Sequence, residues 1–412
     1  MSDRDHYAAL RLPGVAQFIF GRMIAAFGRQ MVSVAIGWQL YERTHSPMAL
    51  AYVGLAQIVP VVLLSLPAGV AADRFDRRAV ALVGHLVLGA CAGALALLTF
   101  VDAPVWTTYL VLAVQGGAVA FTAPAASSLL PNLVPPALYV NANAWRSSTF
   151  QIAALGGPAV AGFALDAFGP FGVYLAGAGA SLVYAVLLLG VPKPAPRAPS
   201  TSAASVDGGV RAGLRFVFRT RLLLGAITLD LFAVLLGGAT ALLPIFAKDI
   251  LHVGPRGLGW LRAAPAFGAF TLALVQTRLP PWRRAGVALF VAVAGFGLAT
   301  IGFGLSSSFA LSLFCLYLTG AFDNVSVVIR ATLEQVVTPD ELRGRVAAVH
   351  YVFIGLSNEL GEFESGLAAA LLGPVGAVLF GGVGTLVVCA LAAAFVPDLL
   401  RIRELKDLGP RP

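Results

Sequence analysis

Charge is what this chain has least of. Asp, Glu, Lys and Arg make up 12% of its 412 residues, whereas 58% are hydrophobic and the mean hydropathy is +0.85. Soluble domains carry about 25% charged residues, so a water-soluble globular fold is excluded. Cysteine is also scarce. Cys91, Cys315 and Cys389 each lie inside an apolar run, without pairing or ligand spacing, and read as small buried hydrophobes. His85 and His350 have no second ligand at i+3 or i+4, so neither a metal nor any other cofactor is implied. A phosphate-cradling G-x-x-x-x-G-K-[ST] loop, a nucleophile elbow and a soluble domain able to hold ATP are all missing, which argues against an ATP-driven pump and against an enzyme.

What the chain has instead is long apolar runs, at about 14–40, 48–71, 78–101, 104–130, 138–165 and 170–191, then at about 222–247, 256–278, 284–306, 308–336, 344–371 and 374–397. Each suffices to cross a hydrocarbon layer about 30 Å thick. The first run contains Arg22 and Arg29 and closes on no small-residue cleavage site, so it is expected to remain as a span rather than leave as a signal peptide.

The net charge of +8 is scattered in short clusters between the runs, which fits membrane topology and not nucleic-acid binding. Assigning loops alternately puts twenty Lys and Arg residues on one side and only Arg43, Lys248 and Arg256 on the other. That bias predicts both termini and the central loop in the cytoplasm. The expected partition is a six-helix bundle over 1–191, a linker over 192–221, a second bundle over 222–397 and a cytoplasmic tail over 398–412. Pro, Ala and Ser dominate the start of the linker, which predicts disorder there. Beyond it, Leu214, Phe216, Val217 and Phe218 interleave with Arg211, Arg215, Arg219 and Arg221, as in an amphipathic helix lying on an anionic leaflet or the solvated end of a linker.

The halves are repeats at an offset of 204 residues. Gly162, Ala164, Gly169, Pro170, Gly172 and Leu175 match Gly366, Ala368, Gly373, Pro374, Gly376 and Leu379 without a gap. A Gly-Pro-x-Gly turn is therefore expected between the fifth and sixth runs of each half. Parallel repeats of this kind build secondary transporters that alternate access around a midplane cavity.

The loop after the second run reads Gly69-Val70-Ala71-Ala72-Asp73-Arg74-Phe75-Asp76-Arg77-Arg78. It resembles the cytoplasmic signature of the major facilitator superfamily, departing from it at Ala71 and Asp76. The resemblance implies an all-α polytopic membrane protein with twelve transmembrane helices in two pseudo-symmetric six-helix bundles. It also implies a cytoplasmic gate in which Gly69 permits close helix approach and Asp73 meets the positive end of the eleventh helix, with Arg74, Arg77 and Arg78 beside it. Positive-inside anchoring is the alternative reading of the three arginines. Gly157-Pro158-Ala159-Val160-Ala161-Gly162 partly resembles the superfamily's antiporter motif, and generic helix packing explains Gly157, Pro158 and Gly162 as well. Segments such as Gly259-Trp260-Leu261-Arg262, Gly320-Ala321-Phe322-Asp323-Asn324 and Ser357-Asn358-Glu359-Leu360-Gly361-Glu362 resemble the bacterial enterobactin-exporter branch, which implies siderophore efflux across the inner membrane.

An ionisable group at membrane depth costs at least about 2.5–3.5 kcal/mol, so each one needs a partner or a role. Asp230, Asp323, Glu359 and Glu362 are the proton-coupling candidates. A fixed salt bridge from Asp230 to an arginine of the first or fifth run is the competing reading. Arg330 and Glu334, four residues apart, are expected to pair. Arg22 and Arg29, seven apart on one helical face, form a positive strip that, with Arg146 and Asn358, would line a substrate cavity; pairing of the two arginines with acids such as Asp230 or Glu359 explains them equally well. The reading is a monomeric proton-coupled exporter of a small amphipathic molecule, a catecholate siderophore first and a multidrug antiporter second. A receptor or a lipid translocase on the same fold are the readings from other classes.

Overall fold

The computed structural model describes residues 5–193, 206–280, 282–339 and 342–404. Among them every regular element is helical. We number the principal helices α1 Val15–Thr44, α2 Pro47–Arg74, α3 Arg77–Phe100, α4 Val105–Leu133, α5 Tyr139–Leu189, α6 Val206–Arg219, α7 Arg221–Leu236, α8 Gly254–Gln276, α9 Ala285–Leu305, α10 Phe309–Val337 and α11 Arg343–Phe395. Large side chains such as Leu63, Phe100, Leu371 and Phe395 are more than two-thirds exposed. That is the surface a bilayer covers, because lipid tails solvate an apolar side chain as well as a protein interior does.

The described residues contain ten helical stretches long and apolar enough to cross a membrane, two of which are double length. α5 has 51 residues and α11 has 53, which straight would span about 75–80 Å. Neither is straight. Ala142 near one end of α5 and Leu188 at the other belong to the same buried cluster, so the helix folds back on itself. The reversal falls at Gly169, with φ 63°, followed by Pro170. α11 breaks in the same way at Gly373, with φ 77°, before Pro374. Phe216 packs against both the cluster that contains Val346 and Val349 and the cluster that contains Cys389, one from each end of α11. Counting each doubled helix twice gives twelve crossings. The two reversals are 204 residues apart, and a side chain at either glycine would force a backbone that L-residues rarely adopt.

Two compact units contain these helices, each described here by itself. The first comprises Met1–His45, Tyr52–Pro196 and His252–Ala263. Its core gathers Phe18, Ile19, Leu129, Leu130, Tyr184 and Leu188. The polar groups inside it are satisfied in a chain: Tyr174 donates to Gln39 at 2.8 Å and the Gln39 amide donates to Thr99 at 3.0 Å, tying α5, α1 and α3 together. α3 starts at Asp76, whose carboxylate accepts from the Arg78 backbone N–H at 3.0 Å. The acid that departs from the superfamily signature is thus the N-cap of its helix.

Gly157 and Gly162 lie on a tightly packed face of α5. A Cβ on Gly157 would come within 2.7 Å of Gln30 on α1, and one on Gly162 within 2.7 Å of the Pro255 carbonyl. Arg256, which belongs to this unit, pairs with Asp166 at 2.6 Å, and Trp260 meets Phe163 edge to face.

The second unit comprises Ser46–Ala51, Arg197–Leu251 and Ala264–Pro412. Its core is built on Leu229, Leu289, Phe290, Val293, Val325 and Ile329. The seventh apolar run, expected as one helix to about 247, is broken instead. α7 ends at Gly237-Gly238, and a 3₁₀ segment Ala239–Leu242, a helical turn Leu243–Ile245 and a π-turn Phe246–Ile250 follow. Two consecutive glycines cost a helix about 1 kcal/mol each relative to alanine. The Thr385 hydroxyl donates to the Ala233 carbonyl at 3.3 Å, satisfying part of the exposed end.

The amphipathic segment is helical as α6, but Val217 is 1% exposed and packs with Leu214 on Ile227, Val346 and Val349. Those apolar side chains cover the protein, and Phe218, at 58% exposed, is left outside. Most of the expected disordered stretch, 194–205, lies outside the described residues, as does the tail beyond 404.

Gly169→Ala and Gly373→Ala should each lower stability by about 1–3 kcal/mol. Gly93→Ala, where a Cβ meets open space on an ordinary helical backbone, should be neutral or stabilise by up to about 1 kcal/mol. Unfolding of the detergent-solubilised protein would show it; equal effects at all three positions would contradict the reversals. Replacing the cap, Asp76→Ala should cost about 1 kcal/mol and Asp76→Asn much less, read in the same assay.

Candidate functional site

In the second unit the strongest concentration of charge lies between α7 and α10. Asp230, the tenth residue of α7 and 7% exposed, forms an ion pair with Arg330 of α10, which is 4% exposed. The Arg330 Nε also donates to the Ser326 hydroxyl at 3.1 Å. That anchors the guanidinium one turn from its own Cα and aims its far end at Asp230. Asp323, a further turn along, borders the same small cavity as Asp230 and Ser326, closed by Val293, Phe296 and Phe322. The cavity has room for a water molecule and no room for an organic ligand. Asp323 makes no hydrogen bond or ion pair with any described residue.

Two sequence expectations change here. Asp230 is salt-bridged, but from α10 and not from the first or fifth run. Arg330 does not pair with Glu334, because its head group is already held by Asp230 and Ser326. Glu334 meets the Nδ1 of His350 on α11 instead. Nothing in the sequence signals this pair, since His350 lies 16 residues away on another helix.

Of the other proton-coupling candidates, Glu359 and Glu362 sit half-buried on α11 with partners of their own and do not line this cavity. Asn358 is exposed. Glu364 lies 3.5 Å from the Ser365 hydroxyl, at the limit of a hydrogen bond. Among the described residues no three His, Cys, Asp or Glu side chains gather as a metal site.

In the first unit, Arg22 and Arg29 of α1 are both charge neighbours of His85 on α3. His85 stacks edge-on against Tyr184 of α5, ring centroids 4.4 Å apart. Arg146 is half-buried near the start of α5. Neither His85 nor Tyr184 was singled out as a site residue by sequence reasoning, because a lone His and a lone Tyr in apolar runs look like core.

The gate residues are dispersed. Arg78 donates to the Leu189 carbonyl at 2.6 Å, capping the end of α5, and Arg77 to the Ser128 carbonyl of α4 at 3.3 Å, both within the first unit. Arg74 is exposed. Gly69 has nothing described within 4 Å of where a Cβ would lie. The side chain of Asp73 lies outside the described residues.

Comparison with known proteins places this geometry in context. The family described as transmembrane secretion effector matches residues 5–409. The chain is 25% identical over 404 residues to the multidrug efflux pump Tap of Mycolicibacterium fortuitum, covering 96% of this chain and 97% of that protein. It is equally 25% identical over 402 residues to the enterobactin exporter EntS of Escherichia coli, covering 95% and 94%. Among solved structures it resembles a bacterial homolog of the human lysosomal transporter Spinster, with a TM-score of 0.73 at 15% identity over 97% of this chain and 98% of that one. A peptide transporter POT mutant matches with a TM-score of 0.73 at 14% identity over 98% and 100%.

The buried pair makes its own forecast. Arg330→Met should destabilise by about 3–5 kcal/mol, because it strands the Asp230 charge. The double variant Asp230→Asn/Arg330→Met should recover much of that loss. A double-mutant cycle on thermal unfolding would show it, and an Arg330→Met protein as stable as wild type would contradict the pairing.

Proposed function

We propose a function from one premise: the chain belongs to the transmembrane secretion effector family of the major facilitator superfamily. It is a multi-pass membrane transporter of that superfamily and not an enzyme. Our reading is that it exports a small amphipathic molecule from the cytoplasm by proton-coupled antiport and alternating access. It would sit in the bacterial inner membrane with both termini inside, as the distribution of Lys and Arg favours.

The observation that supports coupling is the water-sized cavity lined by two carboxylates, of which Asp230 is paired with the Arg330 guanidinium. Arg330 neutralises Asp230. A second negative charge at Asp323, in an apolar surround and near Asp230, has no counter-ion of its own, so taking up a proton is the way to discharge it. Asp323 is then the group that loads and releases the coupling proton, and the Asp230–Arg330 pair is the fixed charge against which it works. Glu359 and Glu362 take a supporting role or a structural one.

For the cargo, a catecholate siderophore is the leading reading, drawn from the likeness to the enterobactin exporter. Efflux of varied hydrophobic drugs is the second, favoured by an equal likeness to the Tap pump.

Efflux into inverted vesicles under an imposed pH gradient separates these readings. Catecholate uptake that collapses with the gradient is expected, and uptake of cationic dyes alone would reject the siderophore. Asp323→Asn should reduce gradient-driven uptake at least tenfold while leaving substrate exchange at equal pH within about twofold, since exchange needs no net proton movement. Unchanged coupled uptake in that variant would return Asp323 to a structural role.

A further inference from the structure

A second polar cluster lies in the first unit, and it is of opposite sign. Arg22 is the eighth residue of α1, about 10 Å along the helix. Arg29 follows on the same face about 10 Å deeper. His85 comes from the first half of α3, and Tyr184 from the last turns of α5. The ring of Tyr184 rests on Gly21, where a Cβ would come within 2.5 Å of it, so α1 is held against the tyrosine at the residue preceding Arg22.

Three buried polar atoms in this cluster have no hydrogen-bond partner among the described residues: Arg22 Nη1, His85 Nδ1 and the Tyr184 hydroxyl. Tyr184 is 0% exposed, so its hydroxyl cannot turn to bulk solvent. The ring contact holds His85 and Tyr184 together, and the charge of Arg22 acts on both. Structural polar groups in a membrane helix bundle are usually paired off with each other. These converge without doing so. Arg29 is exposed although it lies near the middle of a 30-residue helix.

We propose that Arg22, His85 and Tyr184 form an anion-recognition site that takes a carboxylate or ionised phenol of the exported molecule. The guanidinium fork supplies charge and directional donors, the tyrosine hydroxyl donates a further hydrogen bond, and the imidazole takes the tautomer that the bound oxygen requires. The inference rests on the export reading and deepens it: it makes the cargo an acid and excludes a permanently cationic drug. It also separates recognition from coupling, since the coupling carboxylates belong to the other unit.

The test is binding to the purified full-length protein in a neutral detergent, with no gradient imposed. The probes are 2,3-dihydroxybenzoate, which carries both a carboxylate and a catechol, and tetraphenylphosphonium as a cation of similar aromatic bulk. Calorimetry should show saturable binding of the benzoate and at least tenfold weaker binding of the cation. Arg22→Gln should weaken the benzoate at least tenfold. Tyr184→Phe, which keeps the ring packing and removes only the hydroxyl, should weaken it about threefold or more and leave the thermal unfolding midpoint unchanged. Wild-type affinity in both variants, or cation binding as tight as benzoate binding, would overturn the proposal. Displacement of the benzoate by added phosphatidylglycerol would place a lipid headgroup in the site and also overturn it. Because no gradient enters, loss of proton coupling with intact benzoate binding would count against the transport mechanism alone.

Discussion

Arg330 and Asp230 meet where most neighbouring side chains are aliphatic, and in such a place a charge is tolerated only if another charge or a set of hydrogen bonds answers it. Most of the polar organisation of this protein follows from that constraint. Arg77 and Arg78 spend their guanidinium groups on backbone carbonyls near or at helix ends. Glu334 finds His350, and Asp166 finds Arg256. Where the rule is obeyed the group is structural. Asp323 in one unit and Arg22 and Tyr184 in the other are among the groups that leave polar atoms without such a partner, and the proton and the ligand proposed above would supply one.

The same constraint explains why the scaffold relies on glycine. With few polar side chains available, helices associate by close contact, as at Gly157 against Gln30 and Gly162 against the Pro255 carbonyl. Such contacts depend on backbone-to-backbone approach and not on hydrophobic burial, which drives little association when the solvent is lipid. The breaks in helices follow a related logic. Gly237-Gly238 ends α7 within one turn of the cavity that Ala233 and Val234 help to line, and irregular backbone at membrane depth is tolerated where protein surrounds it.

Much of the architecture was legible in the residues. Twelve apolar runs and the 204-residue repeat are local or periodic features, and the repeat pointed to Gly169-Pro170 and Gly373-Pro374, where both doubled helices turn back. The site was legible only in part. Asp230 and Asp323 stood out because carboxyls in apolar runs are rare, yet their relation was not readable. Spacing along one helix suggested Arg330 with Glu334, and the true partners are on other helices. His85 and Tyr184 carried no signal at all, since their significance lies in a 4.4 Å ring contact and two unanswered polar atoms.

The sequence by itself determined that this chain lives in a membrane, how many times it crosses and that its halves share a plan, because lipid imposes those features residue by residue through hydropathy and periodicity. Only the tertiary structure decided which charges neutralise each other. A guanidinium chooses among carboxylates by distance and desolvation, and both are set by how helices from distant parts of the chain pack. That choice leaves Arg330 on Asp230 and Asp323 without an ion-pair partner among the described residues.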